Sequence, residues 1–123
     1  MNKDSLYAFY GSLRRGMNNH ERYKEALDYL FSARLKGFKL YSRGQYPCVS
    51  RSSNNNSVVM EVFRVTDRDF ETRIHELEMS EGYVYEETIV GEKKVGIYVF
   101  ENVENFQEVI DGDWVTFFRG RGV

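Results

Sequence analysis

Two stretches of this chain carry residue types that chemistry can use, and they lie far apart. The first is Tyr10-Gly11-Ser12-Leu13-Arg14-Arg15-Gly16. Glycine lets a backbone come close to a ligand, and consecutive N–H groups in a turn form a cradle for an anion or a carbonyl oxygen. Taken alone, an ordinary strand-ending turn is the simpler reading. The second stretch is the acidic run Glu76, Glu78 and Glu81. At ~100° per residue, Phe70, Ile74 and Leu77 share a narrow arc of a helix. Glu78 falls on the shoulder of that arc and Glu76 points away from it. A carboxylate on such a shoulder is partly buried, which raises its pKa and makes it a better base near neutrality. A solvated glutamate at a helix end is the commoner case.

Other catalytic sets are missing from the sequence. Two His and one Cys make no usual zinc site. There is no phosphate-binding Gly-x-x-x-x-Gly-Lys-Ser loop, no dinucleotide Gly-x-Gly-x-x-Gly and no Gly-x-Ser-x-Gly elbow. His20 reads as a surface group at a helix start, and His75 as an exposed one. Cys48, after Pro47, reads as a small core residue, and Trp114 with Phe117 and Phe118 as packing. Arg14 and Arg15 read either as an attractor for an anionic substrate or as a solvated pair.

The elements that must position these residues follow from patterning. Ser5 to Tyr10 is a first strand that Gly11 ends abruptly. Tyr23, Ala26, Leu27, Leu30 and Phe31 recur at helical steps, predicting a helix from Asn19 to Phe31 with Asn18 or Asn19 as its cap. Leu35 to Tyr41 and Tyr46 to Val49 read as extended pieces around a Ser42–Gln45 turn. Val58 to Val65 is apolar on both faces, as in a central or closed sheet. Thr66 would cap a helix whose stripe is Phe70, Ile74 and Leu77, and Gly82 would break it. Tyr83 to Val90 and Val95 to Phe100 form a hairpin. Trp114 to Phe118 is read as a last short strand. An α+β domain follows, mostly antiparallel and closed into a small β-barrel with two flanking helices. Its expected extent is 1–118, with 119–123 a loose tail.

Composition narrows the partners. The 123 residues are 41% hydrophobic and 29% charged, which suits one folded domain. Seventeen basic residues against 19 acidic ones give a net charge of −2, so no excess of cations exists to neutralise nucleic-acid phosphates. No run approaches the ~20 apolar residues of a membrane span. The N-terminus lacks the apolar run of a signal peptide, and the lone Cys48 rules out an intrachain disulfide. A cytoplasmic protein is expected.

From end to end, the sequence resembles the gamma-glutamylcyclotransferase-like family, and within it the gamma-glutamylamine cyclotransferase-like subgroup. The residues that carry the resemblance are Tyr10-Gly11-Ser12-Leu13-Arg14-Arg15-Gly16 with Asn19-His20, then Gly37, Leu40-Tyr41 and Tyr46-Pro47. Glu61-Val62-Phe63, Ile74-His75-Glu76-Leu77-Glu78, Tyr85 and Gly112-Asp113-Trp114 follow in order. Four-residue matches are weak singly, but the ordered set is specific. Three departures stand out. Met60 replaces a glycine, His75 an aspartate, and Glu87 falls where relatives often carry arginine. Glu81-Gly82 offers a second register for the acidic residue.

The resemblance implies an enzyme that needs no cofactor and acts on a small gamma-glutamyl compound. The substrate's own α-amine attacks its γ-carbonyl, giving 5-oxoproline and a free amine. Positioning then supplies the advantage that a protein nucleophile would otherwise provide. The catalytic acid–base assigned by this resemblance is Glu78. Gly11, Ser12 and Leu13 would hold the glutamyl carboxylate or carbonyl, and Tyr10 and Tyr85 would wall the cavity. A non-catalytic binding module on the same fold is the alternative. No nucleic-acid or membrane partner is expected, and the protein would be a monomer or weak homodimer.

Overall fold

Alternation fixes the first strand, and the rest of the molecule is built around it. In the computed structural model, which describes residues 2–121, β1 spans Leu6–Phe9 and all four residues are buried. Then come α1 (Asn18–Tyr23), a 3₁₀ turn (Lys24–Ala26), β2 (Leu27–Lys36), β3 (Phe38–Arg43), β4 (Tyr46–Arg51) and β5 (Ser57–Val65). They are followed by α2 (Arg68–Ser80), β6 (Val84–Val90), β7 (Lys93–Val99), the short β8 (Gln107–Glu108) and α3 (Trp114–Arg121).

These strands form two open sheets. The larger runs in the order β2-β5-β1-β7-β6 and the smaller in the order β4-β3-β8. Among the described residues only β1 and β7 pair in parallel, through Tyr7 and Gly96. The expected barrel closure is therefore corrected, because β2 and β6 are free edges of the larger sheet. What misled the reading was burial on both faces of β5. That burial comes from layering. Leu6, Ala8, Val58, Met60, Val62 and Ile97 face a core shared with Phe38, Leu40, Val49 and Trp114. Tyr7, Phe9, Phe63, Val65 and Tyr98 face a second core under Phe70 and Ile74 of α2. A strand buried between two layers carries apolar residues on both sides without any closure.

Four further expectations change. The helix predicted to reach Phe31 stops at Tyr23, and Leu27 begins a strand paired with β5. The register shifts between Tyr29 and Phe31. This bulge takes in Leu30 and puts apolar residues at uneven steps, which imitates a helical period. Neither Asn18 nor Asn19 caps α1; Met17 stands there without a side-chain cap bond. Trp114 to Phe118 is helical, not extended. Asp113 Oδ1 accepts from the amides of Val115 (3.2 Å) and Thr116 (3.5 Å), satisfying donors that a helix start leaves open. Helical spacing sets the Trp114 ring 5.5 Å from Phe117 and 5.8 Å from Phe118. Residues 119–121, expected to be loose, continue this helix, and 122–123 lie outside the described residues. Among the described residues there are thus three α-helices, not two. Among the described residues no helix is long and apolar enough to cross a membrane.

Candidate active site

The β1 strand delivers its chemistry at its C-terminal end. Tyr10 is buried and its hydroxyl donates to the Tyr98 carbonyl at 2.6 Å. Next, the chain turns. The Arg14 amide donates to the Gly11 carbonyl (3.0 Å) and the His20 amide to the Ser12 carbonyl (3.0 Å). Asn19 Nδ2 donates to Ser12 Oγ at 2.8 Å. The carbonyls of Gly11 and Ser12 are thus used, while the amides of Gly11, Ser12 and Leu13 donate to no group among the described residues. Gly11 itself is explained by packing: a Cβ there would lie 2.6 Å from Pro47 Cγ.

Arg14 holds this turn from behind. It is only 8% exposed, and it pairs with Glu61 of β5 (Nε–Oε2 3.1 Å) and with Asp113 (Nη1–Oδ1 2.7 Å). Glu61, 4% exposed, also accepts from the Arg15 amide at 2.9 Å and from Arg15 Nε at 3.2 Å. The guanidinium of Arg15 lies 3.6 Å over the Tyr29 ring. Arg14 is therefore not the solvated group of one sequence reading, whereas Arg15 keeps about half of its side chain in solvent while paired with Glu61. Their partners come from β5 and the start of α3, segments that only the fold brings together.

The carboxylate half comes from α2. Its cap is Asp67, not Thr66: Asp67 Oδ1 accepts from the Phe70 amide at 3.0 Å. The buried face is also rotated from the predicted stripe. Phe70, Glu71 and Ile74 are buried, His75 and Glu78 are half-buried, and Leu77 is 60% exposed. Polar partners on the sheet select this rotation. Glu71 accepts from Ser5 Oγ (2.8 Å) and Tyr7 Oη (2.5 Å), and His75 Nδ1 lies 3.0 Å from Tyr98 Oη. His75 is therefore not the exposed group it was expected to be. His20, read as a surface group, tucks its ring 5.6 Å from Phe63.

One turn beyond His75, Glu78 sits with its side chain among tyrosines. Burial pushes its pKa from an ordinary 4.5 up to about 7, repulsion from Glu81 adds to this, and Arg43 works against it. Glu81, the alternative register, is exposed. The charge of Glu78 in turn raises Tyr10, Tyr83 and Tyr98, each already raised by burial. Glu78 thus lies within electrostatic reach of Tyr10, the residue that opens the turn. Tyr85 stands one ring further out. Its hydroxyl bonds Asn2 (3.1 Å) and Glu87 (2.9 Å), and its ring lies 5.6 Å from Tyr98. Burial brings the Tyr85 hydroxyl to about 12.

Sequence reasoning missed three neighbours of Glu78. Tyr83 donates from its hydroxyl to the Pro47 carbonyl at 2.6 Å, and its amide donates to the Glu78 carbonyl at 3.0 Å. Tyr98 joins Tyr10, His75 and Glu78. Arg43, at the end of β3, donates from Nη1 to the Glu81 carbonyl at 3.1 Å. Period-two alternation along β7 marks Tyr98 as lying opposite Ile97 and Val99, but nothing local in the sequence ties β3 to α2. Cys48 lies in this group too, fully buried, with burial carrying its thiol to about 12. It is a core residue, as expected.

Two open surface hollows, of about 480 and 230 Å³, lie elsewhere. They are lined by residues of α1, the 3₁₀ turn and the start of α2, including Glu25, Ala26 and Asp67. Neither reaches Glu78 or the Gly11 turn. Among the described residues no cluster of His, Cys, Asp and Glu could hold a metal ion.

Thus β1 ends in a turn of open amides, and α2 carries the fully bonded Glu71 and the half-buried Glu78. Residues 7–116 match the family described as gamma-glutamyl cyclotransferase, AIG2-like, and the chain belongs to that family. Solved structures share the fold. An uncharacterised protein of Pyrococcus horikoshii has a TM-score of 0.79 at 23% identity, covering 95% of each chain. The ytfP protein of Escherichia coli has a TM-score of 0.72 at 24% identity, covering 89% of this chain and 96% of its own. A structure described as gamma-glutamyl cyclotransferase has a TM-score of 0.60 at 20% identity, covering 84% and 68%. Among curated proteins no significant sequence match was found.

Proposed function

We propose that this protein cyclises a small gamma-glutamyl compound to 5-oxoproline and a free amine, with Glu78 as the acid–base. The observation that carries the reading is a half-buried carboxylate, raised by burial to a pKa of about 7, within electrostatic reach of the residue that opens a turn of three undonated amides. A free α-amine has a pKa of ~7.7–8.0 and is mostly protonated at neutrality. Glu78 takes its proton, and the freed nitrogen forms a bond to the γ-carbonyl carbon. Negative charge develops on the carbonyl oxygen, where amides of Gly11, Ser12 and Leu13 are suited to stabilise it. Protonated Glu78 then gives its proton to the leaving nitrogen as the old C–N bond breaks, and the ring nitrogen's surplus proton passes through Glu78 to the released amine, which departs as its ammonium ion. One carboxylate serves both steps, so the carboxylate balance is restored each turnover. Tyr10 walls the site, and Tyr85 orients substrate from the outer ring.

The family match supports cyclotransferase chemistry; the gamma-glutamylamine subgroup is our finer reading. We further infer a cytoplasmic monomer or weak homodimer, in line with a lone buried cysteine. Screening gamma-glutamyl compounds for 5-oxoproline release, with Glu78→Gln in parallel and Glu81→Gln as control, tests the assignment. Unchanged turnover in Glu78→Gln sinks it. Glu87 favours a second reading, a binding module without turnover, since it sets negative charge beside the Tyr85 hydroxyl. Ligand binding with no product from any compound would select that reading.

A further inference from the structure

Arg43 ends β3 in an unusual setting. Its guanidinium carbon lies 4.6 Å over the Phe100 ring, 5.6 Å over Tyr83 and 5.9 Å over Phe106. Its Nη1 is anchored on the Glu81 carbonyl. Aromatic faces and a carbonyl orient a cation without neutralising it. Arg14, Arg15 and Arg51 each have a carboxylate within ion-pair distance. Arg43 forms no such pair among the described residues, although it is half-buried. It is nonetheless close enough to Glu78, Cys48 and Tyr83 to oppose the rise that burial imposes on each.

The chemistry of a gamma-glutamyl group says what belongs there. Its nucleophilic α-amine and its α-carboxylate are attached to one carbon, so the nitrogen and the carboxylate carbon are only about 2.5 Å apart. Placing the amine at Glu78 necessarily brings the carboxylate into the same small volume. There it would meet the charge of Glu78 and Glu81 and be repelled, unless a cation faces it. Arg43 is the oriented cation beside Glu78, held on the backbone carbonyl of Glu81, and a planar guanidinium matches a carboxylate in a bidentate fashion.

We propose that Arg43 binds the α-carboxylate of the gamma-glutamyl group, leaving the amides of Gly11, Ser12 and Leu13 to the γ-carbonyl. This rests on the cyclisation reading above, and it divides between two partners what the turn alone was asked to hold.

The test compares ligands that differ only at the carboxylate. Binding of 5-oxoproline and of its carboxamide is measured by calorimetry for the wild type, Arg43→Gln and Arg43→Lys, and turnover is measured for gamma-glutamyl substrates with a free or amidated α-carboxyl. The wild type should prefer the carboxylate at least about tenfold, as a charge-assisted hydrogen bond requires. Arg43→Gln should erase that preference, and Arg43→Lys should keep part of it. A preference that survives in Arg43→Gln overturns the proposal, as does a wild type that binds neither ligand or both equally. If Arg43→Gln fails to fold, an undiminished preference in Arg43→Lys overturns it. Carboxylate preference that depends on Arg43, without turnover in the wild type, removes the cyclisation reading and leaves Arg43 in place. Turnover with a preference indifferent to Arg43 does the reverse.

Discussion

Glu78→Gln keeps the shape of the side chain and removes its charge, so it separates the two things this residue does. In the folded protein Glu78 rises from 4.5 to about 7, through burial first and the repulsion of Glu81 second, against Arg43. Each tenfold change in proton affinity is worth about 1.4 kcal/mol, so the rise amounts to roughly 3 kcal/mol. Proton counting gives the sign. Between about pH 4.5 and 7 the folded protein holds a proton on Glu78 that the unfolded chain has released, so Glu78's contribution to stability falls across this window and levels off above it. Glutamine has no proton to lose. Around pH 4 the variant and the wild type should unfold at nearly the same urea concentration. At pH 8 the variant should be the more stable by roughly 2–3 kcal/mol. Fluorescence of Trp114 reports the transition, and 5-oxoproline release is followed on the same samples. The variant should be inactive at every pH, while wild-type kcat/KM climbs through about pH 7 as Glu78 ionises. A variant no more stable than the wild type at pH 8 would mean that burying this charge costs nothing, and the reasoning from burial to base strength would fail.

Replacing Arg14 by Met strips Glu61 and Asp113 of their shared cation. Arg15 still reaches Glu61, so the loss in urea unfolding should be near the lower end of the ~3–5 kcal/mol typical of a broken buried pair; a loss below about 1 kcal/mol, as for a surface pair, would contradict the buried clamp. Gly11→Ala forces a Cβ to 2.6 Å from Pro47 Cγ and should cost about 1–3 kcal/mol by overpacking. Adding Pro47→Ala should recover most of that cost, and strictly additive losses in the double variant would exclude the clash. The thiol of Cys48, fully buried and raised to about 12, should resist Ellman's reagent at pH 8 until denaturant is added; rapid modification of the native protein would show the core around it to be open.

How far the sequence could be read depended on whether a residue's partner was local. The β6–β7 hairpin and β5 were visible because alternation and a double-sided apolar run are properties of the strand itself. The helix α2 was visible too, but its facing was not. Hydropathy favours burying Leu77, whereas the fold buries Glu71, half-buries His75 and Glu78, and leaves Leu77 outside, because Ser5, Tyr7 and Tyr98 offer the polar partners. The run from Leu27 to Phe31 looked helical because a bulge breaks its alternation, and that bulge is a property of pairing with β5. Trp114 to Phe118 looked extended because aromatic residues favour strands, while Asp113 just before them supplied the cap that decided for a helix. The proximity of Glu78 to Tyr10 was reachable through family resemblance. Arg43 and Tyr98 were not, since their approach depends on how β3 and β7 are stacked against α2.

The supports of the two halves of the site differ in kind, and this bears on how it works. Three segments that carry the family resemblance — the turn, Glu61 of β5 and Asp113 before α3 — converge on the single guanidinium of Arg14. Burying that many charges is rarely the cheapest route to stability. It does hold the loop: the carbonyls of Gly11 and Ser12 are occupied from within, while the amides of Gly11, Ser12 and Leu13 donate to no group among the described residues. The carboxylate half has no such rigid clamp. Glu78 hangs from the last turns of α2, short of the Gly82 break, and its partners are tyrosines and one arginine held by aromatic rings. A donor turn must not move while charge develops on an oxygen. A group that first takes and then gives a proton must instead change charge without disturbing its surroundings, and polarisable rings with neutral hydroxyls permit that better than a fixed counter-ion would.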